Sequence, residues 1–398
     1  MKRKAYAGYR SFSYLEPVAD YRPFSLAAEV DRVPSRRLKL SPEVEARAQR
    51  LIEANIVISL HDHTFIAPLD LPELADHRRQ GRDWTGYAGL AVSGLDAVFD
   101  ALMGGTATIT STAGWKWIDI VHDLGMRLSD IAHQDMLIRG ENIADIRRAH
   151  ETGRIAFIPT LEAATPIENE IDRLDVLYGL GIRCSGIAYS DANALGSGLR
   201  EGRDGGLTEL GKAAVHRMNR LGMAIDLSHS GDQTALDTIE ASERPVFISH
   251  TGARALWDTP RMKPDAVLAA CAARGGIVGI MAAPYTTVTA RHPRHSIESV
   301  MEHFEYVVKL TGIDHVAFGP DTLYGDHVGL NAYFSRQISL AATKGGPQAA
   351  EVEYVEGLEN PSETFPNIVR WLLDRSYSDT EIAKLIGGNI LRALGEIW

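Results

Sequence analysis

The chain of 398 residues has only two cysteines, Cys184 and Cys271, far apart and without metal-ligand spacing. That excludes a disulfide scaffold and a cysteine-bound metal. It fits two buried thiols in a reducing compartment, so a cytoplasmic location is expected. No run of about 18 apolar residues occurs, so no membrane-spanning helix is expected. The basic start, MKRKAYAGYRSFSYLEPVADYRPF, has no apolar stretch behind it and does not read as a secretory signal. No basic block offsets a net charge of −11, which argues against nucleic acid as a partner. No internal repeat is visible, and no strand runs into a G-x-G-x-x-G turn, so no dinucleotide site is expected.

What the chain has is enough apolar content, 45%, to bury a large core. Residues 1–40 carry Pro17, Pro23 and Pro34 without a clear period and read as an irregular arm on the main body. From 41 to 398 the pattern is that of one domain. Ser41-Pro42-Glu43 is a helix start, with a capping serine, proline in the first turn and an acid beside it. That helix runs to Ala54 and feeds a strand, 56–60, that ends at His61. The connection 64–105 is expected to cover a site, with a helical stretch over 95–103. Further strands are predicted at 106–112, 155–161, 182–188, 223–228, 246–249, 276–281 and 315–319. A long helical region to about Gly153 follows Trp115 and Trp117. Later helices are predicted at 168–180, 208–221, 232–242, 265–274, 297–311, 363–375 and 379–396. Eight apolar strands alternating with helices imply a parallel sheet that closes into a (β/α)8 barrel. An open doubly wound sheet is the alternative, and the missing phosphate turn argues against it.

Barrel chemistry sits at the carboxyl edge of the strands. His61 and His63 lie there two residues apart, and alternate residues of an extended chain face one side. Glu162 follows the 155–161 strand. His229 and His250 end two more, and Asp321 follows the last. Any one of these histidines is as well read as a structural hydrogen-bonding group. Their convergence on one edge is what points to a shared divalent-metal site, with zinc the natural ion for imidazole and carboxylate ligands. Glu162 is the candidate to bridge two ions. Two such ions can share and acidify a water, with Asp321 passing its proton to a leaving amine. His122, His133, His150, His216, His303 and His327 fall in helices or outer loops and are left outside.

The stretch GLTELGKAAVHRMNRLGMAIDLSHSGDQTALDTIEASERPVFISHTGARAL, residues 206–256, resembles the renal or membrane dipeptidase family, the M19 metallopeptidases. IDLSH and FISH match its two histidine motifs, VISLHDH its first strand, LEAA its glutamate, AFGPD its aspartate and LIGGNILRAL its final helix. The resemblance spans roughly residues 45–398. It implies a barrel holding two zinc ions, or one, that cleaves dipeptides, often with a D-residue on the carboxyl side. It places His61 and the residue at 63 on one metal, Glu162 between, His229 and His250 on the other, and Asp321 as acid and base. Arg261, in TPRMKPD, falls where the family's arginine binds the substrate carboxylate. Two positions depart from the family. His63 stands where it has aspartate. Tyr189 stands where it has a histidine on the scissile carbonyl, a place where a hydroxyl can still donate to an oxyanion.

The expectation is therefore a metal-dependent hydrolase of a dipeptide or dipeptide-like amide with a free carboxylate. The departures at 63 and 189 keep open a cyclic amide, a lactone or an N-acyl amino acid as substrate, and a non-catalytic metal-binding homologue. Trp398, closing an apolar helix, suits a homodimer interface.

Overall fold

The computed structural model describes residues 4–102, 116–337, 347 and 349–398. Eight parallel strands run around a barrel in chain order: β1 Ile58–Asp62, β2 Ala97–Ala101, β3 Ile155–Leu161, β4 Cys184–Gly186, β5 Ala224–Asp226, β6 Phe247–Thr251, β7 Ile277–Ile280 and β8 Val316–Phe318. Each pairs with the next. A short strand, Leu137–Arg139, also lies along β3. The last strand meets the first just beyond their ends. Asp321 N–H donates to the His61 carbonyl and His63 N–H to the Thr322 carbonyl, both at 3.0 Å. This is the (β/α)8 barrel. Every residue of these strands is buried, as strands covered on both faces must be.

That burial explains the main departure from expectation. The 95–103 stretch, whose apolar spacing predicts a helix, holds β2 instead. A short apolar run buried on both sides loses the two-residue alternation that marks a strand. Asp100 inside it is paid for by Arg127 Nη2 at 2.6 Å and the Thr64 hydroxyl at 2.6 Å. The strand predicted at 106–112, with Trp115, lies outside the described residues.

Elsewhere the predicted elements shift by a few residues. The helix after Ser41 spans Pro42–Ala54, and the Ser41 hydroxyl accepts from Val44 N–H. Gly181 ends the helix Arg173–Leu180 with φ 111°, a conformation that favours glycine. The helical region before Gly153 is two helices, Trp117–Ile131 and Ile143–Thr152, with the short strand between. The loop after β8 contains a helix, His327–Gln337. The closing helix is interrupted at Gly387, where any side chain would strike the Ile56 carbonyl just before β1.

Residues 4–41 form turns and isolated bridges against the barrel. Lys4 Nζ pairs with Asp96 at 2.7 Å, Phe12 N–H donates to Asp130 at 2.7 Å, and Leu26 bridges to Pro68. Trp398 stacks on Phe99 of β2 with ring centroids 6.3 Å apart, so its ring packs on its own barrel. Among the described residues no helix is long and apolar enough to cross a membrane.

Candidate metal centre

All eight residues singled out from sequence lie at the carboxyl ends of the strands. His61 is in β1 and His63 just past it. Glu162 follows β3, Tyr189 follows β4 and His229 follows β5. His250 is in β6, Arg261 is in the loop beyond it, and Asp321 follows β8. Six of them close into overlapping clusters: His61, His63 and Glu162; His61, His250 and Asp321; Glu162, His229 and His250.

Glu162 is at the middle. Its Oε2 is 2.9 Å from His229 Nε2 and 3.6 Å from His250 Nε2, and its Oε1 is 3.6 Å from His63 Nε2. Asp321 Oδ1 lies 3.1 Å from His63 Nε2 and 3.5 Å from His61 Nε2. Ligands about 2.0–2.1 Å from a tetrahedral zinc ion stand about 3.3 Å from one another, so these spacings suit such an ion. Two buried atoms aimed into the cluster, His61 Nε2 and Glu162 Oε1, have no hydrogen-bond partner. In a metal-free interior that is costly. The donor set therefore fits a divalent ion.

The surroundings orient the rings. His250 Nδ1 is 2.7 Å from Ser249 Oγ, and Ser249 donates in turn to Asp226 Oδ2 at 2.7 Å. That chain places the His250 proton on Nδ1 and leaves Nε2 free to bind. His63 Nδ1 donates likewise to the Ala101 carbonyl at 3.2 Å. Burial, with Arg261 and neighbouring histidines, holds His229 and His250 well below the ordinary imidazole range, so both are neutral. Burial acts the same way on His63, but the Asp321 hydrogen bond and the Glu162 charge outweigh it and raise His63 to about 9. Against its own burial, Asp321 is held well below the carboxylate range by the His61 and His63 rings beside it.

Asp62, between the two β1 histidines, turns away. Its Oδ2 accepts from Ser59 Oγ at 2.5 Å and its Oδ1 from Thr322 N–H at 2.8 Å, which fastens β1 to the segment after β8. Asp321 holds a left-handed backbone, φ 59°, at the point where its carboxylate faces the histidines. A non-glycine residue there carries strain of the kind that gathers at functional sites. Tyr189 lies flat on His229, and burial keeps its hydroxyl protonated, with Glu162 adding to the effect. Arg261 donates from Nη1 to the His250 carbonyl at 3.1 Å, while its buried Nη2 has no hydrogen-bond partner and lies 3.9 Å from Asp321 Oδ2.

Sequence reasoning missed Asp226 and Ser249, which act through His250. The repeated Ser-His of Ser228-His229 and Ser249-His250 was the signal for them. The six histidines left outside join none of the clusters. His303, for example, spends both nitrogens on Ala253 N–H and the Val288 carbonyl.

Comparison with known proteins places this geometry. Dipeptidase aclJ of Aspergillus oryzae is 31% identical over 288 residues, covering 71% of this chain and 60% of that protein. The chain thus spans less than two thirds of that relative. A crystal structure of an amidohydrolase from Pseudomonas aeruginosa is 26% identical with a TM-score of 0.71, covering 88% of this chain and 99% of that one. The fold is shared also with a metallopeptidase from Rhodobacter sphaeroides bound to a phosphinate mimic of L-Ala-D-Ala, at 20% identity and a TM-score of 0.66, covering 86% of this chain and 100% of that one. Residues 45–331 and 345–397 match the membrane dipeptidase family, whose metallopeptidase character implies a divalent metal. The chain belongs to the membrane dipeptidase family, peptidase family M19.

Proposed function

We propose that this protein is a zinc-dependent hydrolase of dipeptides, or of dipeptide-like small amides that carry a free carboxylate. The observation that carries this reading is the cluster of four imidazoles around Glu162, with two buried ligand atoms left unpartnered. His61, His63, Glu162, His229 and His250 would hold the metal. When bound, zinc supplies a Lewis acid for the amide carbonyl and lowers the pKa of a water. Arg261 presents its free Nη2 edge to the substrate carboxylate, which fixes the amide over the centre. Asp321, ionised and beside His63, takes a proton and returns it to the leaving amine. The protonated Tyr189 hydroxyl donates to the developing oxyanion. The unpaired buried thiols of Cys184 and Cys271 fit a reducing compartment, and we place the protein in the cytoplasm.

The test is hydrolysis of L,D- and L,L-dipeptides by zinc-loaded wild type and by His229→Ala. Turnover in the wild type that is lost in the variant is expected. Full activity in the variant would sink the proposal. A second reading rests on Tyr189 and His63, which replace a family histidine and aspartate. Turnover of N-acyl amino acids, cyclic amides or lactones, with none of dipeptides, would favour it.

A further inference from the structure

The ligand cluster is short of negative charge. Bound through Nε2, its four imidazoles are neutral ligands, His63 giving up the proton it holds in the free site, and among the described residues only Glu162 and Asp321 bring carboxylates into the clusters. Asp62 is the nearest further candidate by sequence, but both its oxygens are taken by Ser59 and Thr322. One divalent ion therefore brings the cluster to zero net charge. A second leaves two positive charges among groups that are almost wholly buried. The Arg261 guanidinium, 3.9 Å from Asp321, adds a third, and the Asp226 carboxylate, 3.9 Å from His250 Nδ1, offsets one of the three. Uncompensated charge of that size is strongly disfavoured away from water.

Geometry nevertheless provides for two ions. Glu162 turns Oε2 toward His229 and His250 and Oε1 toward His63, with His61 3.9 Å from Oε2, so the one carboxylate reaches both imidazole pairs. His61, His63 and Glu162 make one half-site, and Glu162, His229 and His250 the other, so each has two imidazoles and the shared carboxylate. The scarce item is an anion.

We infer that the ligand-free protein binds one divalent ion tightly and takes up the second only together with an anionic oxygen ligand, such as a dipeptide-like carboxylate or phosphinate. This rests on the metal-hydrolase reading. The anion supplies the missing charge, and by linkage the second ion and the anion strengthen each other's binding by the same factor. Substitution of His63 by aspartate supplies a fixed negative charge at the same place and removes the need for it.

The experiment is equilibrium dialysis of purified wild type and His63→Asp in a zinc buffer, with and without a phosphinate dipeptide mimic, followed by elemental analysis. Wild type is expected to hold about one equivalent alone and two with the mimic. His63→Asp is expected to hold two in both. Two equivalents in unliganded wild type, or one in its presence, would overturn the inference while leaving the hydrolase reading intact. No zinc under any condition would overturn both. If His63→Asp fails to fold by circular dichroism, calorimetric titration of wild type with zinc, with and without the mimic, decides the same question. A second binding event that appears only with the mimic supports the inference, and two events without it refute it.

Discussion

The ring of Tyr189 lies against that of His229, centroids 3.9 Å apart and planes 16° from parallel. One side chain thus packs against a histidine of the cluster and carries the hydroxyl proposed as oxyanion donor. The two roles separate by substitution. Tyr189→Phe keeps the stacking and removes the donor, so kcat should fall by about 10²-fold with KM little changed, as for loss of one oxyanion donor. Tyr189→Ala should also lower zinc affinity by loosening His229. Steady-state kinetics on a dipeptide decides it, and a fully active Tyr189→Phe would remove the hydroxyl from the mechanism.

Asp226 accepts from the N–H and hydroxyl of both Ser228 and Ser249. Through Ser249 it sets the ring of His250. Ser249→Ala should weaken zinc binding by about 10–100-fold, the usual cost of losing an orienting partner, without unfolding the barrel. Competition against a chromophoric chelator measures it. Unchanged affinity would mean that packing alone positions His250.

A methyl group at Gly186 would be driven into the carbonyl of Glu162 on the neighbouring strand. Since that backbone carries the central carboxylate, Gly186→Ala should cost zinc affinity and activity together. Leu180→Ala, in the helix before β4, should cost stability only. Paired zinc titrations and thermal melts distinguish the two, and a Gly186→Ala protein with native zinc affinity would show that the strands yield there.

Glu359 is buried, and burial raises its carboxyl to about 7 even though Arg32 and Val355 N–H bond it. A folded-state pKa above the unfolded value means that the folded chain holds a proton the unfolded chain has lost. Its contribution to stability is whole below the unfolded pKa near 4.5 and declines as pH rises toward about 7. Denaturant midpoints measured between those values should fall with pH, and less steeply in Glu359→Gln. Equal slopes in the two proteins would contradict the assignment.

Much of the centre is legible in the sequence alone. Apolar strands running into His61, His229 and His250 mark one barrel edge, because parallel strands all end at the same rim. The AFGPD motif placed Asp321 in the same way. β2 was not legible, because burial on both faces erases the alternation that would have revealed it. Nor was the service of Asp226 and Ser249 to His250, which needs two strands in register.

What the sequence by itself determined is the kind of site, since residue type and strand-end position are local properties. His61 and His63 share a face because an extended chain repeats every two residues. What only the tertiary structure decided is the charge balance. Asp62, the residue between His61 and His63, is taken by Ser59 and Thr322, and Asp321 comes to 3.1 Å from His63 although 258 positions away along a chain wound once around the barrel. Those contacts depend on barrel closure, which no local pattern encodes.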